Sequence, residues 1–144
     1  KNENFEFKRD GALINLGNTN IAYSPNIVIG NNITFTPINA LQISFLTKFV
    51  GEQYMGNIDA KKSVLPDYTT SDLNITYEWK INKGIKSIVF SGIINNIFDR
   101  VYESNGYFYT YDDTWSGPGT TTIEGAGFYP QAGMNFLAGM NLKF

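Results

Sequence analysis

The segment Asp72–Ile81, DLNITYEWKI, alternates without a fault. Leu73, Ile75, Tyr77, Trp79 and Ile81 take one parity, and Asp72, Asn74, Thr76, Glu78 and Lys80 take the other. Side chains of an extended strand point alternately to two faces, so this is a β-strand with one apolar and one polar side. The pattern recurs along the chain. Ile27, Ile29, Ile33 and Phe35 share a face in 26–36, interrupted only by Asn31. Leu41, Ile43, Phe45 and Phe49 share one in the next stretch, and Ile88, Phe90 and Ile94 in a third. The chain closes on Phe136, Ala138, Met140, Leu142 and Phe144, alternating with Asn135, Leu137, Gly139, Asn141 and Lys143. No segment shows a helical period. The expected fold is all-β and antiparallel, with about five long strands.

Tight turns are expected at Pro37–Ala40, where Pro cannot continue a ladder, and at Asn82–Gly84, where Gly is free to take positive φ. The polar stretch Met55–Pro66 and the Gly- and Tyr-rich stretch Glu103–Gly133 are the long connections. Residues 1–25 read as a lead-in loop with room for a short hairpin, and 26–144 as the strand region. The first residues, KNENFEFKRDG, show neither an initiator Met nor the apolar run of a signal peptide. They are expected to open a processed product or a piece of a longer protein.

Composition narrows the chemistry. The chain has no Cys and no His, so a thiol nucleophile, an imidazole base, a Cys/His zinc site and any disulfide are out of reach. No catalytic, cofactor or metal residue is assigned. A net charge of −2 gives no basic footprint for nucleic acid. No run of about 18 apolar residues exists for a membrane helix, but half-apolar strands of a membrane barrel would average out to an ordinary hydropathy.

Alternation alone does not say which face is wet: a soluble β-sandwich turns its apolar face inward, a membrane barrel outward. Three features favour the barrel. The strands are about 11 to 16 residues long, against roughly 5–6 in soluble proteins. Connections alternate short and long, as periplasmic turns and extracellular loops do in outer-membrane barrels. Aromatic residues sit near strand ends, with Tyr77 and Trp79 beside the Asn82–Gly84 turn, Tyr54 and Tyr68 at the other end, and Phe144 last. Tyr77 and Trp79 are therefore expected in an interfacial girdle.

The segments IAYSPN, FVGEQYMGN, LPDYTTSDLNITYEW, NNIFDRVY and FYPQAGMNFLAGMNLKF, in this order, resemble the C-terminal part of the barrel of TonB-dependent outer-membrane receptors of the Bacteroidetes type. The resemblance spans about Asn20 to Phe144. It implies the last strands of a 22-stranded transmembrane barrel. It implies import of a scarce nutrient: an iron–siderophore, haem, cobalamin or a glycan. The implied partners are the plug and upstream strands of the same receptor, outer-membrane lipid, and TonB through the plug alone. The stripe Phe136, Met140, Leu142 and Phe144 then resembles the signal read by the barrel-assembly machinery, with the C-terminus on the periplasmic side of the bacterial outer membrane.

Other residues weigh less. The N-x-T triplets at Asn32 and Asn74 lie within strands and are not expected to carry glycans. Asp72, Glu78 and Lys80 are expected to line a barrel lumen, with Lys48, Lys80 and Lys143 balancing the acids. In the loop 103–133, alternation is broken by Gly and Pro. There Tyr109, Tyr111 and Trp115 are candidate ligand contacts, with Gly117, Gly119, Gly125 and Gly127 as flexible points. Asp112 and Asp113 lack the spacing of a Ca²⁺ loop. The alternative function is a small outer-membrane or surface β-protein acting as a binding or adhesion module. An enzyme built on a Ser–His pair is excluded by the lack of His.

Overall fold

Period-2 alternation, turn residues and the scarcity of helix formers lead to an all-β chain. The computed structural model describes residues 1–144, apart from the side chains of Asn82 and Lys83. In chain order the strands are β1 (Glu6–Arg9), β2 (Ala12–Asn15), β3 (Val28–Ile38), β4 (Leu41–Val50), β5 (Gln53–Tyr54), β6 (Val64–Leu65), β7 (Tyr68–Lys83), β8 (Ile85–Asn95), β9 (Glu103–Asp113), β10 (Thr121–Pro130) and β11 (Asn135–Lys143). One 3-10 turn, Lys61–Ser63, precedes β6. There are thus eleven strands where about five were expected, and they do not close into a barrel. Five of the six extra ones lie in the segments expected to be loops, and β5 lies at the end of the stretch expected to be the second long strand.

The chain divides into two compact units. The first holds Lys1–Ile27, Val50–Tyr68 and Tyr102–Gln131; the second holds Val28–Phe49, Thr69–Val101 and Ala132–Phe144.

The second unit is one five-stranded sheet in the order β11-β8-β7-β4-β3. Its strands are neighbours in the order they occur in the chain, an up-and-down meander. β7 and β8 pair antiparallel with Tyr77 opposite Phe90, and β8 and β11 with Phe90 opposite Met140. Between β4 and β7, the Ala40 carbonyl accepts from the Glu78 N–H, and the hydroxyls of Thr47 and Ser71 lie 3.0 Å apart. Numbers rise on one strand as they fall on the other, so this pair is antiparallel too. Of the expected Asn82–Gly84 turn, the side chains of Asn82 and Lys83 lie outside the described residues; the backbone pairs Lys83 with Ile85 around Gly84, whose φ of +77° is the left-handed conformation Gly adopts without a steric penalty.

The first unit is built from two hairpins and a small core. β1 and β2 pair around Asp10 and Gly11, whose φ values of 52° and 79° make the Asp-Gly turn that matches strand twist. β9 and β10 form a longer hairpin, with Gly125 opposite Tyr109 and Gly127 opposite Tyr107. The stretch 103–133 is therefore mostly paired strand rather than loop. The polar-looking stretch 55–66 contributes the core: Leu65 is fully buried, with Met55 and Ala60 nearly so.

Candidate functional sites: an apolar sheet face and a tyrosine face

The register of the five-stranded sheet collects the alternating residues into rows. Leu73, Ile94 and Phe136 stand side by side on β7, β8 and β11; so do Ile75, Gly92 and Ala138; Tyr77, Phe90 and Met140; and Trp79, Ile88 and Leu142. On β3 and β4, the hydroxyls of Thr34 and Ser44 meet at 3.0 Å on the polar side. That places Ile33, Phe35, Ile43 and Phe45 on the other side with the rows. The ring of Phe98, beyond β8, meets Phe45 edge to face at 6.3 Å.

The apolar side of this sheet is left uncovered, as it is not in a water-soluble protein. Phe35 is 62% exposed and Phe136 78% exposed on the apolar side, whereas Ser44 and Ser87 on the other side are buried. No apolar residue of the second unit is buried among the described residues. Soluble proteins keep contiguous exposed apolar patches small because wetting them costs roughly 25 cal/mol per Å². The girdle candidates Tyr77 and Trp79 sit on this face, toward the end of β7. Of the C-terminal stripe, Phe136, Met140 and Leu142 lie on β11, a sheet edge, and Phe144 follows it.

The polar face separates the acids expected to line a lumen. Glu78 accepts from the Ser87 hydroxyl at 2.7 Å and from Lys143 Nζ at 3.0 Å. Asp72 accepts the backbone N–H of Asn96 at 2.8 Å. Of Lys48, Lys80 and Lys143, it is Lys143 that forms an ion pair. Among the described residues no three of His, Cys, Asp and Glu gather as a metal site would need.

Sequence reading gave no special role to Asn96, which organises the end of β8. At φ 49° its side chain accepts from the Arg100 N–H at 2.9 Å, and its Nδ2 donates to the Arg100 carbonyl at 2.9 Å and the Ala132 carbonyl at 3.3 Å. Asp99 Oδ1 accepts the Met134 N–H at 2.7 Å. The end of β8 and the approach to β11 are thereby fastened together. The clue in the sequence is the close spacing of Asn96 and Asp99, two residue types that tolerate φ > 0 and bond back to the main chain.

In the first unit the β9–β10 hairpin has two unlike faces. On one, the Phe108 ring covers Gly56, and a Cβ at Gly106 would lie 2.5 Å from the Met55 sulfur. The tip of the β1–β2 hairpin is tied to the same face. Asp10 and Thr122 exchange two hydrogen bonds of 2.7 Å, Arg9 pairs with Glu124, and Lys8 with Asp112 at 3.5 Å. The other face carries Tyr107, Tyr109 and Tyr111, with centroids 6.2 and 6.3 Å apart and planes within 18° and 14°. Tyr129 joins at 6.0 Å from Tyr107. Each ring step is close to two strand rises of about 3.3 Å, so the rings follow the strand. The ring of Tyr109 covers Gly125 and that of Tyr107 covers Gly127; a Cβ at either glycine would overlap the ring. Gly125 and Gly127 are therefore seats for rings within a strand, not the flexible loop points expected.

Tyr109 and Tyr111 thus come together, and Tyr107 and Tyr129 complete the row. Trp115 does not join: it stands at the hairpin tip, 77% exposed, with no ring contact among the described residues. Asp113 shapes that tip by accepting the N–H groups of Trp115 and Ser116, each at 3.1 Å. A hydrogen bond from the Ser116 side chain, then those backbone N–H groups, hold its carboxyl below the usual carboxylate range. No protein-family model, curated protein or solved structure matches this chain.

Proposed function

We propose that this chain is the C-terminal part of the transmembrane barrel of a TonB-dependent outer-membrane receptor, which imports a scarce nutrient. The observation that carries the proposal is the continuous apolar face of the five-stranded sheet, left uncovered while Ser44 and Ser87 on the other face are buried. Lipid is the solvent in which that distribution is favourable, and a closed barrel is the form in which sheets meet it. Strands of 9 to 16 residues suit a crossing that takes about 9–11. β3 and β11 are edges with unpaired backbone groups, and five strands are fewer than the eight of the smallest barrels. The proposal therefore includes further strands and a plug in the same receptor, with TonB engaged through the plug, and the C-terminus in the periplasm. Phe136, Met140, Leu142 and Phe144 present the assembly signal, and Tyr77 and Trp79 belong to the interfacial girdle.

The test is lipid quenching of Trp79 in the full chain, with Trp115→Phe to leave one reporter. Mixed with vesicles, Trp79 fluorescence is expected to be quenched by lipids brominated near the headgroup and less by those brominated at the acyl terminus. A chain that stays soluble in water, with Trp79 unquenched by either lipid, would overturn the proposal in favour of a soluble binding module.

A further inference from the structure

We propose that the tyrosine face of the β9–β10 hairpin is a binding platform for a neutral oligosaccharide, whose pyranose rings stack on Tyr107, Tyr109 and Tyr111. This deepens the receptor proposal and rests on it for the platform's place in nutrient capture, not for the contact itself.

The hairpin spends its other face on packing. Phe108 and Gly106 reach the core, and Asp112, Thr122 and Glu124 hold the β1–β2 tip. The tyrosine face makes none of those contacts, and its three rings remain about half exposed. Gly125 and Gly127 are poor strand formers, yet they stand where each lets a ring lie across the neighbouring strand. The result is a strip of nearly parallel rings without a projecting side chain between them, repeated at a regular 6.2–6.3 Å. A repeating ligand with C–H and hydroxyl surfaces matches a repeating row of half-exposed rings, and the tyrosine hydroxyls are donors and acceptors for sugar hydroxyls.

Charge selects among flat ligands. No Lys or Arg lies among the positions of this face: Asn105, Tyr107, Tyr109, Tyr111 and Asp113 on β9, and Thr121, Ile123, Gly125, Gly127 and Tyr129 on β10. Its one charged group is the Asp113 carboxylate. A ferric catecholate, which is anionic, would meet no cation and one like charge. A neutral saccharide meets no such penalty.

The experiment uses the full chain folded in lauryldimethylamine oxide, a detergent without a sugar headgroup. Maltohexaose, cellohexaose, laminarihexaose and xylohexaose are titrated by calorimetry, alongside a ferric tris-catechol complex. At least one hexasaccharide is expected to bind. Tyr109→Ala and Tyr111→Ala are each expected to weaken it about tenfold, and Tyr109→Phe less than about threefold. Because an alanine variant can lose its hairpin, nitration of the native chain gives a second readout. The bound sugar should protect Tyr107, Tyr109 and Tyr111 from tetranitromethane. Binding of none of the four sugars, binding without that protection, or protection by the ferric complex instead would overturn the platform. Vesicle flotation of the same preparation separates the two proposals. A chain that floats but binds no sugar sinks the platform alone. One that binds sugar but never enters vesicles sinks the barrel alone.

Discussion

Ile75 and Thr76 are consecutive in β7 and face opposite ways. Ile75 sits between Ile43's side of the sheet and the Gly92–Ala138 row, while Thr76 is paired with Ser91 on the polar side. If the apolar side meets lipid, Ile75→Arg should destabilise the folded receptor by about 2–4 kcal/mol and Thr76→Arg by much less. Urea refolding of each variant in detergent measures the difference; equal costs would show that the faces are wrongly assigned. At the hairpin tip the relevant residue is Asp113, whose folded carboxyl is held low by Ser116 and Trp115. A depressed folded pKa contributes stability above the unfolded value of about 3.9, and that contribution is lost as pH falls through the folded value. Exchange of the Trp115 and Ser116 amides should therefore be insensitive to pH-driven opening near pH 6 and show opening below about pH 4. Asp113→Asn should abolish that acid-driven change. The alternation of Ile75 and Thr76 was plain in the sequence. The part played by Asp113 was not, because it depends on side-chain bonds to the main chain two and three residues on, at a hairpin tip without alternation.

At the scale of elements, the strands that the sequence made legible are those of the five-stranded sheet. Each presents four or more alternating positions, enough to define a face. β1 and β2 have four residues each and β5 and β6 two, too short for a period to register. β9 was obscured for another reason. Tyr107, Phe108 and Tyr109 are aromatic on both faces, since one packs on a core and the other is a ring row. In β10 the alternate positions Gly125 and Gly127 carry no side chain at all, because rings from β9 occupy their space. An alternation read from one strand alone cannot show a side chain supplied by its neighbour. The junction after β8 is the element most open to a direct test. Asn96→Gly keeps the φ 49° backbone accessible but removes the side-chain bonds to Arg100 and Ala132. A loss of about 1–3 kcal/mol is expected by urea titration in detergent. No loss would mean that the sheet itself holds the ends of β8 and β11 together.

For the whole molecule, the apolar face and the two edges act together. Without detergent the isolated chain should sediment as β-rich aggregate, since exposed edges pair with other copies and the apolar rows collect. A monomeric chain melting cooperatively in plain buffer would contradict the membrane assignment. If the chain belongs to the proposed receptor and the stripe on β11 is its assembly signal, Phe144→Lys in that receptor should lower outer-membrane abundance far more than it lowers the unfolding midpoint of barrels already assembled. Equal effects on both would reduce it to packing.

The fastening around Asn96 has an evolutionary consequence. Residues 101–131 depart from the sheet and return to it at points bound to one another through Ala132, Met134, Asp99 and Asn96. The register of β8 against β11 is thus fixed on the near side of that closure, whatever chain lies beyond it. Loop-closure cost also grows only slowly with length. The hairpin can therefore be lengthened, shortened or exchanged as a cassette while the sheet keeps its pairing. If the proposed receptor is built this way, it is free to change what it captures without having to redesign the wall it spans.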